Sequence, residues 1–313
     1  MESQSDRVTI LLATFNGEKF LNEQLSSFVE QIDDQWDLLV SDDGSSDDTV
    51  ELIRTFKRQV KQDHEVTIVT GPKGGFAANF LSLLVRVPST AELVAFSDQD
   101  DVWFPEKISR GRASIADVQD KQIPVLYAAG SVICNEELQL VGESSNFSKH
   151  PSFGNSLVQS IGAGNTMMLN GPAIRLLQSA AQEVDALVAH DWWVYQMISG
   201  CGGVVVRDPA PTLYYRQHLN NLIGTNRTLR GKASRLFFVT GGKFADWNDT
   251  NIRNLNATQH KLTPKAKESL AQFSNARKGS AIKRIRALYR SGAARQRTIG
   301  TIALYLACLA NRL

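Results

Sequence analysis

Leu93-Val-Ala-Phe-Ser-Asp-Gln-Asp-Asp-Val-Trp-Phe-Pro105 is the stretch on which the fold turns. Its first four residues are apolar, without the alternation of a half-wet strand, so they read as a strand buried on both faces. Three carboxylates follow at once, Asp98, Asp100 and Asp101. Like charges this close repel, so the cluster is costly unless solvent or a cation neutralises it. Pro105 stands where a helix can begin, with Ile108, Ile115 and Val118 along its face. On its own this much also fits an acidic turn at a helix start.

The same unit recurs on the N-terminal side. Val8-Thr-Ile-Leu-Leu-Ala13 is a short apolar run, followed by Leu21, Leu25, Phe28 and Ile32 at helical spacing. Trp36 to Ser41 reads as a second strand, closed by the turn-forming Asp42-Asp-Gly-Ser-Ser46, and Val50, Ile53, Phe56 and Val60 mark a second helix. Glu65 to Val69 is a third strand, with Phe76, Phe80 and Leu84 on the helix after it. Strands alternating with helices predict an α/β fold, a mostly parallel sheet flanked by helices on both sides. Ligands of such sheets bind outside the carboxyl ends of the strands, where Thr14-Phe-Asn16, Asp42-Asp43 and Ser97 to Asp101 all fall. Further strands are expected at 125–134, 204–206 and 212–216, and helix from about Thr263 onward. The predicted organisation is one α/β domain over residues 1–225 and a basic helical extension over 226–313.

With 42% hydrophobic and 21% charged residues, the chain can bury a proper core. A net charge of +2 supplies no global field for nucleic acid. Cys134, Cys201 and Cys308 form no Cys-x-x-Cys pair, which argues against a disulfide framework and a thiolate zinc site. A reduced, cytoplasmic compartment is expected. The N-terminus lacks the basic and apolar regions of a secretory signal. No run reaches the roughly 18 apolar residues of a membrane span, so membrane contact is expected to be peripheral.

Ala13-Thr-Phe-Asn16, Val40-Ser-Asp-Asp-Gly-Ser-Ser-Asp47, Gly74-Gly-Phe-Ala-Ala-Asn79, Phe96-Ser-Asp-Gln-Asp-Asp-Val-Trp103, His190-Asp-Trp-Trp193 and Tyr215-Arg-Gln-His218 stand in this order along the chain. A lone Asp-x-Asp occurs often by chance; the ordered set does not. In this set the chain resembles the family 2 group of inverting glycosyltransferases with the GT-A fold, a Rossmann-like α/β sheet. The Ser-Asp-Gln-Asp-Asp-Val-Trp form resembles bacterial rhamnosyltransferase-like members that build surface polysaccharides.

The resemblance implies roles residue by residue. Thr14 and Asn16 would line the base and ribose pocket with Phe15 stacking on a pyrimidine, and Asp42 and Asp43 sit where a carboxylate accepts from the base N–H. Lys73 would contact the diphosphate, and Asn79 matches a donor-site position. Asp98 would contact the ribose, while Asp100 binds a Mg2+ or Mn2+ ion whose shell His218 completes. Asp101 is a weaker ligand candidate, or a cap on the following helix. Gly162-Ala-Gly-Asn-Thr166 resembles a loop beside the donor sugar, with Gly164 permitting close backbone approach. Ala163 and Asn165 depart from the commoner form of that loop, which leaves the sugar preference open. Asp191 matches the base that deprotonates the acceptor hydroxyl. Trp192 and Trp193 would either exclude water from it, raising its pKa, or stack on a sugar ring. Singly, each site has a plainer reading: a turn at Asp42, a helix cap at Asp191, a loop histidine at His218.

After Glu268 no acidic residue remains, and nine lysines and arginines follow from Arg277. Ile282, Ile285, Leu288 and Tyr289 recur at helical spacing, so apolar and charged faces separate. Such a helix suits an anionic inner membrane face and a lipid-linked acceptor; packing on the domain or on a second subunit is the alternative. Base-stacking aromatics are nearly absent there, so nucleic acid is not an expected partner. The resulting expectation is a metal-dependent, inverting transfer of a sugar, rhamnose among the candidates, from a nucleoside-diphosphate donor to a saccharide acceptor in surface polysaccharide synthesis. A nucleotidyltransferase would want a glycine-rich basic phosphate loop, which Thr14-Phe-Asn-Gly17 matches poorly. A sugar-nucleotide-binding module without turnover would not need both Asp100 and Asp191.

Overall fold

Residues 7–144, 149–218 and 242–313 are described in the computed structural model of the chain. The apolar run at 93–96 lies in the middle of a nine-stranded sheet. It belongs to β4 (Leu93–Ser97), which runs parallel with β1 (Val8–Thr14), β2 (Trp36–Asp42) and β3 (Val66–Thr70) in the order β3-β2-β1-β4. Leu12 pairs with both Val40 and Ser97, which brings the carboxyl ends of β1, β2 and β4 to one edge. The crossovers are α1 (Leu21–Val29), α2 (Thr49–Gln59) and α3 (Phe76–Arg86).

Beyond β4 the sheet becomes mixed. Short β5 (Val102–Trp103), α4 (Lys107–Ala116), β6 (Val125–Cys134), β7 (Leu140–Glu143), α5 (Phe153–Ser156), β8 (Met167–Asn170), α6 (Gly171–Ala181), α7 (His190–Gly200) and β9 (Val204–Arg216) follow. β8 is antiparallel to both β4 and β6, while β6 runs parallel to β9. The strands expected separately at 204–206 and 212–216 are one strand, β9. Its register against β6 slips near Gly130, where a Cβ would meet the Pro209 carbonyl at 2.6 Å. Pro209 and Pro211 cannot donate to the ladder, so the strand bends there instead of ending. β5 pairs with the far end of β9, Val102 opposite Tyr214, and so lays the acidic turn beside Arg216 and His218.

Each face of the sheet has its own core. One gathers Leu21, Leu25, Phe28, Ile53, Ile108 and Ile115 from α1, α2 and α4. The other gathers Phe80, Leu84, Ile174, Trp193 and Met197 from α3, α6 and α7. Ile32, expected to continue α1, lies past its end and is 68% exposed. Past the helix end the Gln31 amide donates to both Ser27 O and Phe104 O, and Ile32 N donates to Pro105 O at 3.0 Å, which ties the chain to the 104–105 loop.

After residue 242 come α8 (Lys243–Ala257), α9 (Pro264–Asn275), α10 (Ala281–Ser291) and α11 (Thr298–Leu309). The expected boundary at 225 lies outside the described residues. Leu288, Leu304, Cys308 and Leu313 belong to the same core as Trp193 and Phe80. Hydrogen bonds reinforce the join, Asn155 Nδ2 to Ala294 O (2.8 Å) and Gln296 N to Gln159 Oε1 (3.1 Å). Among the described residues no helix is long and apolar enough to cross a membrane.

Candidate active site

Asp98 follows β4 directly, and Asp100 and Asp101 occupy the turn into β5. Burial first, then the charges of Asp100 and Asp191, push the Asp98 carboxyl up to about 8. Asp191 stands in the first turn of α7, nearly a hundred residues away in sequence, so the fold has brought the two motifs within one electrostatic neighbourhood. Its own pKa is raised by burial to about 6, against the pull of N–H groups including that of Trp192, which donates to Oδ1 at 2.6 Å. Trp192 and Trp193 are buried, and the Trp192 indole N–H donates to Ser156 O at 2.6 Å. Of the two roles expected for this pair, water exclusion fits their burial; a stacking surface for sugar does not.

His218, just past β9, places Nε2 at 2.6 Å from Asp100 Oδ2. Asp101 points the other way, fully buried, accepting from the Asn165 amide and from Arg216 N at 3.2 Å. It does not cap α4, whose N-terminus has no side-chain cap bond. Burial, then Asp100 and Asp98, hold the Asp101 carboxyl well above the usual range. Lys107 is buried beneath this turn, donating to Asn165 O at 2.7 Å, with Nζ 4.6 Å from the Trp103 ring centroid. Burial draws its pKa down to about 7, and the Asp101 charge opposes that shift. Arg216, 1% exposed, donates to Asp100 O (2.8 Å) and Glu23 Oε2 (2.6 Å) and lies over the Phe20 ring. Arg216 sits in a quoted motif, whereas Lys107 resembles any lysine at a helix start, and sequence reasoning passed over both.

The opposite wall is built at the ends of β1 and β2. Thr14 Oγ1 donates to Asp42 Oδ1 at 3.0 Å, and Asp42 Oδ2 accepts the N–H groups of Gly44 and Ser45. Asp43 accepts from Lys73 N (2.6 Å) and Gly75 N (2.8 Å), tying the loop after β3 to the loop after β2. Phe15 is 55% exposed at the mouth, its backbone clamped by Gln99 through N–H to Oε1 (2.8 Å) and Nε2–H to O (3.0 Å). Asn16 has a positive φ of 48° and accepts from Ser46 N at 2.9 Å. The Lys73 side chain is exposed and crosses Gly44. Asn79 supports this wall from beneath, buried with its amide donating to Ser41 O at 2.9 Å. Gln99 is a further residue that sequence reasoning did not single out.

Gly164 opens a short 3-10 turn (Gly164–Thr166), and a Cβ there would meet His190 Nε2 at 2.1 Å. The close approach that requires glycine is thus by the histidine next to Asp191. His190 is stacked on Phe80 with centroids 3.9 Å apart, and neither ring nitrogen has a hydrogen-bond partner among the described residues. Burial lowers its pKa to about 3, so the ring is neutral.

The donors of Asp100 and His218 suit a divalent ion: carboxylate oxygen serves Mg2+ and Mn2+, and imidazole is a good ligand for the softer of the two. Among the described residues no group of three or more His, Cys, Asp or Glu side chains is arranged to hold a metal. Phosphate and water would have to supply the remaining positions, as Mg2+ commonly requires.

A family model described as Glycosyl transferase family 2 matches residues 9–123. The dTDP-rhamnosyl transferase RfbG of Shigella flexneri is 26% identical over 237 residues, 73% of this chain and 78% of that protein. The UDP-Glc:alpha-D-GlcNAc-diphosphoundecaprenol beta-1,3-glucosyltransferase WfgD of Escherichia coli is 28% identical over 131 residues, 42% of this chain and 48% of that one. Among solved structures, S. aureus TarS 1-349 in complex with UDP-GlcNAc aligns with a TM-score of 0.56 at 14% identity, covering 98% of this chain and 89% of that chain. The mannosyltransferase PcManGT from Pyrobaculum calidifontis, in complex with GDP-Man and Mn2+, aligns at 0.51 and 20% identity over 97% and 86%. At these identities the structural likeness speaks for the fold alone. Family model, relatives and fold agree: residues 9–123 carry a family 2 glycosyltransferase domain, the fold is the GT-A fold of the glycosyltransferase structures it aligns with, and the chain is similar to a bacterial rhamnosyl transferase.

Proposed function

We propose that the enzyme moves a sugar, rhamnose in the first instance, from a nucleoside-diphosphate donor to a hydroxyl of a lipid-linked saccharide, inverting the anomeric carbon. The observation that carries this reading is the shared neighbourhood of Asp191, Asp98 and Asp100 at the carboxyl edge of the sheet. Thr14 to Asn16 with Asp42 and Asp43 form the wall for the base, the exposed Phe15 ring offering a stacking face, and Asp98 takes the ribose. Lys73 stands at the rim within the positive charge's reach of a diphosphate, and Gly164 with His190 shapes the sugar side.

Asp191 acts as general base. It takes the proton of the acceptor hydroxyl as that oxygen bonds to the anomeric carbon, and the bond from that carbon to the diphosphate oxygen breaks on the opposite face. The products are the inverted glycoside, the nucleoside diphosphate and a protonated Asp191. A carboxyl raised to about 6 is still ionised at neutral pH and is a stronger base than an ordinary carboxylate. A Mg2+ or Mn2+ ion on Asp100 and His218 would supply Lewis-acid stabilisation of the departing diphosphate. The rhamnose reading is supported by the Shigella relative, and the lipid-linked acceptor by the name of the Escherichia coli one.

Thermal unfolding with a panel of nucleotide sugars, with and without Mn2+, tests the donor and the metal together, because a ligand that binds the folded state raises the midpoint. dTDP-rhamnose with Mn2+ should give the largest rise, lost with a chelator or in Asp100→Ala. A panel that leaves the midpoint unmoved would overturn the reading. A rise without any transfer to acceptor would favour a binding module.

A further inference from the structure

Residues 269–313 carry nine lysines and arginines and no carboxylate side chain. α10 and α11 pack inward through Ala287, Leu288, Leu304, Ala307 and Cys308. Arg284 fixes the pair, donating to the Cys308 and Leu309 carbonyls at the end of α11 at 3.0 and 2.9 Å. A second apolar stripe on each helix is left outside. Ile282 is 82% exposed, Tyr289 and Ile299 each 76%, and Leu306 60%. Ile282, Ile285 and Tyr289 lie at helical spacing on one helix, and Ile302, Leu306 and Leu309 on the other, so the stripes run side by side. An open apolar groove of about 450 Å3 separates them, lined by Ile282, Ile285, Tyr289, Tyr305 and Leu309. Arg286 lines the groove as well, and Lys283 and Arg290 are exposed on the same helix.

We propose that this two-helix face lies on an anionic lipid bilayer, its isoleucines, leucines and tyrosine in the acyl boundary and its cations among the phosphates. Exposed side chains of this size favour transfer out of water wherever a surface can bury them. Grouped in contiguous stripes they mark an interaction surface, and the charge selects its partner. A second copy docked by the same face would bring two sets of these cations together, which costs energy; a phosphate-rich surface neutralises them. Helices of 11 and 12 residues are too short to cross a bilayer and must lie in its interface. The surface shares no residue with the acid cluster, so its test is independent of the catalytic reading. If the acceptor is lipid-linked, as proposed above, the face would hold the enzyme where that acceptor is found.

Co-sedimentation of the full chain with vesicles of phosphatidylcholine alone, or mixed with phosphatidylglycerol, decides the matter. The chain should bind the mixed vesicles, prefer them strongly over the neutral ones and release at high salt. Lys283→Glu with Arg286→Glu and Arg290→Glu should weaken binding on the order of a hundredfold. Ile282→Asp with Leu306→Asp should weaken it roughly tenfold or more even at low salt. Both variants alter exposed side chains, so an unchanged thermal midpoint and donor-induced shift would confirm that they fold. Equal binding to neutral vesicles, or none by the parent chain, would overturn the proposal. So would an Ile282→Asp, Leu306→Asp variant that dissociates a dimer in light scattering while vesicle binding stays the same.

Discussion

At Asp191 a carboxyl that ordinarily ionises near 3.8 holds its proton to about 6, because the fold buries it. A base works only when ionised, so kcat/KM should rise about tenfold per pH unit up to about 6 and level off above it. An acidic limb centred near 4 would remove burial as the cause. The same shift has an opposite sign for stability. The folded state holds a proton that the unfolded chain releases, so stability is lost as pH rises from about 4 to about 6. Asp191→Asn should therefore reduce transfer by about 10²- to 10⁴-fold. It should also leave donor binding intact and raise stability at pH 7 by about 1–3 kcal/mol. A fall in midpoint together with activity would mean that the carboxylate is a structural bond acceptor instead of a base.

Two elements outside the acid cluster position the site. The 164–166 turn abuts His190 at the start of α7, and Lys107 props the same turn from α4 through Asn165 O. Gly164→Ala would drive a methyl into the imidazole ring, which is boxed in by Phe80 and Phe96. Overpacking of this kind costs about 1–3 kcal/mol, and the displaced start of α7 should lower kcat more than it alters donor binding. An unchanged midpoint would show that the turn gives way freely. Lys107→Met keeps the apolar stem and removes the donor, stranding a buried carbonyl at about 1–3 kcal/mol. Urea midpoints at constant slope would measure that loss. Both effects pass through packing, and neither could be read from residue type, because a lysine or glycine is ordinary at such positions until its neighbours are known.

Across the whole molecule, one apolar core runs from the parallel sheet through α7 and α5 into α9, α10 and α11. The basic extension is therefore held to the sheet by buried Leu288, Leu304 and Leu313, and by Asn155 and Gln296. Truncation before Ala281 should remove roughly 5 kcal/mol or more of burial. That is the scale of a domain's entire stability, so the shortened chain should be insoluble or unfold at a much lower temperature. A truncated protein with the parent's midpoint would show the extension to be an independent appendage.

The residue pattern alone determined the parallel half of the fold. Strands buried on both faces need unbroken apolar runs, and their carboxyl ends must carry turn residues, so Val8–Thr14, Trp36–Asp42 and Leu93–Ser97 announced themselves along with the acids that follow. It also determined the chemical type of the candidate site, since the motifs are local in sequence. Tertiary structure alone decided which acids face each other: Asp100 meets His218, Asp98 feels Asp191, and Asp101 turns inward to Asn165 and Arg216. It also decided that Trp192 and Trp193 are core, that 204–216 is one bent strand, and that the tail shares the main core. The physical reason is range. Periodicity reports only neighbours along the chain, whereas burial, field and bend are set by groups a hundred residues away that the fold alone brings together.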